Sequence, residues 1–150
     1  MPEDKIIDGV LYAVIGVIFN KDGKILMFKR EGEEWETGWE PVKGGIHLEE
    51  TEEEAVRREI KEEANLDDVK VLGKLEKYNK ASKPWKGGRL DIKSRVFACL
   101  YQGGEVRMGE PEHVDYKWMP VEEAKNRNWL NTDRLKIIEK SYELFKEETQ

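Results

Sequence analysis

Between Gly44 and Leu66 the chain reads GGIHLEETEEEAVRREIKEEANL, which places eight glutamates behind a pair of glycines. The spacing predicts a helix over 52–64, closed by Asn65, a residue that tolerates the left-handed backbone at a helix end. At about 100° per residue, Glu59, Glu62 and Glu63 fall within an arc of roughly 100°, and Val56, Ile60 and Ala64 form the adjoining apolar stripe. The helix must dock by that stripe, so its acids flank the seam while Arg57 and Lys61 point away. Glu59 and Glu63 stand at (i, i+4), where like charges repel, and Glu62 adds to the repulsion. A hard divalent cation, Mg²⁺ or Mn²⁺, converts such repulsion into coordination. A solvated face with ion pairs fits poorly, because the acids border a buried stripe.

The rest of the chain supplies a sheet for the helix to cover. LYAVIGVIF (residues 11–19) is a continuous apolar run, as in a strand covered on both faces. NKDG turns it into KILMFKR (24–30), which reads as a hairpin. GWEPV (38–42) is short and extended. VKVLGKLEKY (69–78) is a half-buried strand, KASKPWKGG (80–88) a loop, and RLDIKSRVFACLY a long strand in which Leu90, Ile92, Val96, Ala98 and Leu100 alternate. HVDYKWM (113–119) is a further strand, and Pro120 opens a short helix. A final helix capped by Asn131 or Thr132 carries an apolar stripe of Leu135, Ile138, Tyr142 and Phe145. These elements make one domain of the α/β (α+β) class, a mixed sheet with helices against its faces.

The central segment resembles the Nudix box, in which a glycine, a glutamate, an Arg-Glu-apolar triplet and a Glu-Glu pair recur at fixed spacing. The matching positions are Gly44, Glu50, Arg58, Glu59, Ile60, Glu62, Glu63 and Leu66, with Asn65 where the family has a second glycine. Trp39, Pro41, Lys43 and Gly44 before the box, and EHVDYKWMPVEEA after it, are also similar to Nudix (MutT-like) hydrolases. The tail NWLNTDRLKIIE loosely resembles the dihydroneopterin triphosphate pyrophosphatases of that family. The resemblance implies an α/β/α sandwich that hydrolyses a diphosphate linkage in a nucleotide. A dinucleoside polyphosphate is an alternative substrate, and a non-catalytic nucleotide sensor an alternative role. By position, Glu59, Glu62 and Glu63 would hold Mg²⁺ or Mn²⁺, with the backbone carbonyl of Lys43 as a further ligand. Arg58 would orient a carboxylate through Glu50, and Gly44 and Asn65 would shape the loop and the helix end. The general base would be a box glutamate or Glu112, which could also reach the metal; Glu110 competes with it. Trp35, Trp39 and Trp85 are candidates to stack on the leaving group, and Lys43 to contact the substrate. His47 and His113 are placed near phosphate but suit structural roles as well. Many family members are homodimers.

Net charge narrows the partners. At −6 the chain lacks the basic surface of a general nucleic-acid binder, whereas a cation-bridged small anion remains open to it. Its one cysteine, Cys99, sits among apolar neighbours and reads as a buried thiol in a reducing compartment. No window approaches a membrane span and no leader-like segment is visible, so the expected location is cytoplasmic, away from the membrane.

Overall fold

The computed structural model describes residues 3–32, 38–126 and 134–150. Trp35, Trp129 and the expected cap at Asn131 or Thr132 lie outside the described residues. Nine strands form one mixed sheet: β1 (Ile6–Ile7), β2 (Val10–Phe19), β3 (Ile25–Arg30), β4 (Gly38–Glu40), β5 (Val42–Gly45), β6 (Val69–Lys74), β7 (Asn79–Trp85), β8 (Gly88–Tyr101) and β9 (His113–Met119). Three helices accompany them: α1 (Glu52–Ala64), α2 (Val121–Asn126) and α3 (Arg134–Glu148).

The sheet is organised around β2, which is buried along nearly all its length. It pairs in parallel with β8, from Val10 against Asp91 to Phe19 against Leu100, while β5 pairs antiparallel with its other edge. Strand β3 runs between β4 and β9. At Pro41 the chain leaves β3 and crosses to β2. Proline cannot donate to either ladder, so the switch falls where no hydrogen bond is forfeited.

Alternation along β2 feeds two cores. Val14 and Ile18 join Phe28, Val42, Val56, Ile60 and Ala64 beneath α1. Ile15, Val17 and Phe19 join Met27, Ile137, Ile138 and Phe145 beneath α2 and α3. Helices thus cover both faces, as the apolar run of β2 predicts. Cys99 is buried in the α1 core, where burial pushes its thiol up to about 12. No helix among the described residues is long and apolar enough to cross a membrane.

Three expectations need correction. Residues 80–88 are not a loop: β7 pairs with β8 from Asn79–Ser94 to Trp85–Gly88, around a Lys86–Gly87 turn with both φ positive. That geometry matches the twist of the flanking strands, so charge and proline did not prevent pairing. The strand expected over 69–78 stops at Lys74, and β7 begins at Asn79. On α3, Leu135 is exposed, whereas Ile137 and Ile138 are buried, so the stripe begins two residues later.

Candidate active site

Helix α1 is fixed at both ends by local chemistry. Thr51 and Glu54 form a reciprocal capping box: the Glu54 N–H donates to Thr51 Oγ1 at 3.1 Å, and the Thr51 N–H donates to Glu54 Oε1 at 2.9 Å. Asn65 ends the helix in the left-handed region at φ 63°, and its N–H donates to the Lys61 carbonyl. Its side-chain amide donates to the Glu105 carbonyl, tying the helix end to the loop before β9. Val56 and Ile60 are wholly buried against the sheet. Each contributes about 2 kcal/mol of apolar burial. That docking carries Glu59 and Glu63 down with it, to 8% and 3% exposure.

Gly44 makes the approach of Glu59 possible. A Cβ at position 44 would lie 2.2 Å from the Glu59 carboxyl carbon, so any side chain there expels that carboxylate. Glu59 and Glu63 stand one helical turn apart and perturb one another's titration, a repulsion that a proton relieves. Burial, then the bond to Glu59 and its charge, push Glu63 up to about 10. Burial raises Glu59 as well, but Arg58 opposes it there. With Glu63 raised that far, the pair carries a proton at neutral pH.

Arg58 spreads its guanidinium over several acceptors. It donates to Glu50 at 2.6 and 2.9 Å, to Glu59 at 2.8 Å, to Glu62 at 3.2 Å and to the Gly45 carbonyl at 2.8 Å. This fork binds the box loop to the helix. The hydrogen bond from Arg58 holds Glu50 below the usual carboxylate range.

A cavity of about 560 Å³ opens beside these groups, between α1, β4–β5 and the β7–β8 hairpin. One end is ionic and includes Glu59, Glu62, Glu63, Glu110, Arg30 and Lys43. The rest of the wall carries Leu11, Ala13, Ala81, Pro84, Ile92 and Ser94, together with Lys83 from β7. Glu40, which sequence reasoning passed over, stands at the ionic end at 2% exposure. Strand alternation explains it: Trp39 faces the α2–α3 core, so Glu40 faces the cavity side. An acid between tryptophan and proline in a short strand was the available signal.

The structure brings some candidates together and leaves others apart. Lys43, Gly44, Glu59, Glu62 and Glu63 line the cavity, whereas Trp39 packs against the opposite core. Trp85 sits at the hairpin tip beneath the ammonium groups of Lys83 and Lys86, each 5.3 Å from its ring, away from the cavity wall. Of the two loop acids, Glu110 is on the wall and Glu112 is fully exposed. Burial and a hydrogen bond with Glu112 raise Glu110. His47 is half-buried beside Glu50, and His113 is buried against Glu40.

Do these residues suit a divalent cation? The donor set is all oxygen, as Mg²⁺ and Mn²⁺ require. Glu63 Oε1 is buried without a hydrogen-bond partner, and Glu40 Oε1 has the Lys43 ammonium 3.5 Å away. The Glu59–Glu63 pair holds by a proton what a cation would hold by charge. Among the described residues no three acids converge as a finished cage, because Arg58 draws Glu59 and Glu62 to itself. The donors fit the ion once the proton and the guanidinium give way.

Comparison with known proteins gives the family. Residues 10–140 match the NUDIX domain. The ADP-ribose pyrophosphatase of Methanocaldococcus jannaschii is 37% identical over 126 residues, covering 84% of this chain and 69% of that protein. An RNA pyrophosphohydrolase from Halorhodospira halophila is 31% identical over 126 residues, covering 72% and 67%. For another RNA pyrophosphohydrolase, from Hamiltonella defensa, identity is 45% over 67 residues, but the chain spans only 39% of that relative. The MutT protein structure from Methanosarcina mazei Go1 superimposes with a TM-score of 0.66 at 20% identity, over 94% of this chain and 96% of that one. The fold is that of the Nudix hydrolases, and the chain belongs to the Nudix family of pyrophosphohydrolases.

Proposed function

We propose that this protein is a Mg²⁺- or Mn²⁺-dependent hydrolase of a small nucleotide in which a diphosphate is joined to an uncharged group. The observation that carries this is the buried Glu59–Glu63 pair opening onto a cavity whose wall sets acids and cations beside apolar residues of β2, β7 and β8. Glu59, Glu62, Glu63 and the Lys43 carbonyl are the groups that would hold the ion. A divalent ion held there would supply neutralisation of phosphate charge and a more acidic water.

The chain's own residues supply the rest. Arg30 and Lys43 line the cavity and attract phosphate oxygens. Arg58 holds the box loop against α1 through Glu50 and the Gly45 carbonyl, contacts that remain when Glu59 and Glu62 turn to the ion. Glu110, raised by burial and on the wall, is assigned to accept the proton of the attacking water; Glu112 tunes it from outside. The wall of β7 and β8, with Ala81, Pro84 and Ile92 beside Lys83, accommodates the nucleoside or sugar.

The test is a panel with and without Mg²⁺: a nucleoside triphosphate, ADP-ribose, a dinucleoside tetraphosphate, dihydroneopterin triphosphate and a 5′-triphosphorylated oligoribonucleotide. Cation-dependent release of phosphate or nucleotide from at least one supports the reading. Tight nucleotide binding without turnover of any would establish the sensor alternative instead.

A further inference from the structure

Glu40 has no place in the box, yet three other strands send a basic group to it. Arg30 at the end of β3 donates from Nε to Oε2 at 3.2 Å. His113 on β9 meets the same oxygen through Nε2 at 2.9 Å, with its ring stacked on Phe28 at 4.8 Å between centroids. Lys43 on β5 places Nζ 3.5 Å from Oε1. The carboxylate and the imidazole are essentially buried, whereas the side chains of Arg30 and Lys43 are 22% and 29% exposed and line the cavity.

This is a costly construction. A buried carboxylate is no aid to stability by itself, and packed apolar groups usually serve a core as well or better. Its placement answers a different need. The cavity's ionic end holds Glu59, Glu62, Glu63 and Glu110. An arginine or lysine left free among them folds onto the nearest carboxylate and is lost to an anionic ligand. Glu40 takes one face of each cation at the back of the cavity. The guanidinium and ammonium keep further donors beyond those Glu40 takes, and both side chains line the cavity.

We propose that Glu40 is a positioning residue: it holds Arg30 and Lys43 as a preset cationic clamp for the diphosphate of the substrate, with His113 fixing the carboxylate from behind. The assignment rests on the hydrolase reading for its substrate, but its binding arm needs no turnover.

Glu40→Gln keeps the shape and removes the charge. It should raise KM about tenfold or more, as expected when charge-assisted hydrogen bonds are set loose. The kcat should change far less. Calorimetric titration with inorganic pyrophosphate and Mg²⁺ should show the same fall in affinity. In an Arg30→Gln, Lys43→Gln background, Glu40→Gln should add almost nothing, because the groups it acts through are gone. Glu40→Asp should recover part of the affinity. Equal effects in both backgrounds, or a loss confined to kcat, would overturn the assignment. If Glu40→Gln does not fold, Arg30→Gln and Lys43→Gln decide, and unchanged pyrophosphate affinity in both refutes the clamp. A wild type that binds pyrophosphate but turns over no substrate defeats the hydrolase reading alone.

Discussion

Glu63→Gln should make the cation-free protein more stable while removing its activity. In the unfolded chain this carboxyl titrates at its ordinary value of 4.5; in the fold it is pushed up to about 10. A raised carboxyl value means the fold binds the proton more tightly than the unfolded chain does. Its contribution is fully present below pH 4.5 and is lost progressively as pH climbs towards 10. From 4.5 to 7 is about 2.5 pH units, which at ~1.4 kcal/mol per unit comes to about 3 kcal/mol. Glutamine needs no proton, and its amide can donate to Glu59 as the protonated acid does. In chelator at pH 7 the variant should therefore melt roughly 5–10 °C above the wild type. The gap should close near pH 4.5 and widen at pH 8.5. Thermal melts by circular dichroism across that range provide the assay. A gap independent of pH, or a variant less stable at pH 8.5, would refute the shared proton. Mg²⁺ should raise the melting temperature of the wild type far more than that of the variant, and its binding should release about one proton.

Other perturbations probe the remaining contacts. Gly44→Ala pushes a methyl into the Glu59 carboxyl, so turnover should collapse while the circular dichroism spectrum stays that of the wild type. Glu110→Gln should cut kcat and flatten the acidic limb of its pH profile, and Glu112→Gln should leave most of the rate intact; the reverse ranking would return the base role to Glu112. Gly109→Ala should cost about 1–3 kcal/mol in denaturant melts and lower activity, since its Cβ would drive into the Glu62 carbonyl and lift the loop bearing Glu110 off α1.

Much of the fold could be read where one physical signal dominated. The apolar run of β2 announced a strand covered twice, and α1 ended at Asn65 because the side chain and the backbone conformation agree. β7 escaped because its propensity is poor; it exists because β8 offers a complete edge to pair with. Leu135 misled because one apolar residue at helical spacing does not fix the phase of a helix whose start is unknown. At the site, the grouping of the three helix glutamates on one side of α1 was legible from spacing, and all three line the cavity. Glu40, Arg30 and Lys43 were not legible as a group. They come from three strands, and only the crossing at Pro41 brings them to one point.

Arg58 bears on which ions this protein can accept. Its guanidinium already occupies the gap between Glu59 and Glu62, and it keeps its charge at every pH the fold survives. A newcomer must outbid a permanent resident. A singly charged ion such as sodium brings no more charge than the arginine and lacks its directional donors, so it gains nothing by displacing it. Only an ion of higher charge density wins that contest. The same residue that keeps the acids from scattering thereby acts as a filter on valence.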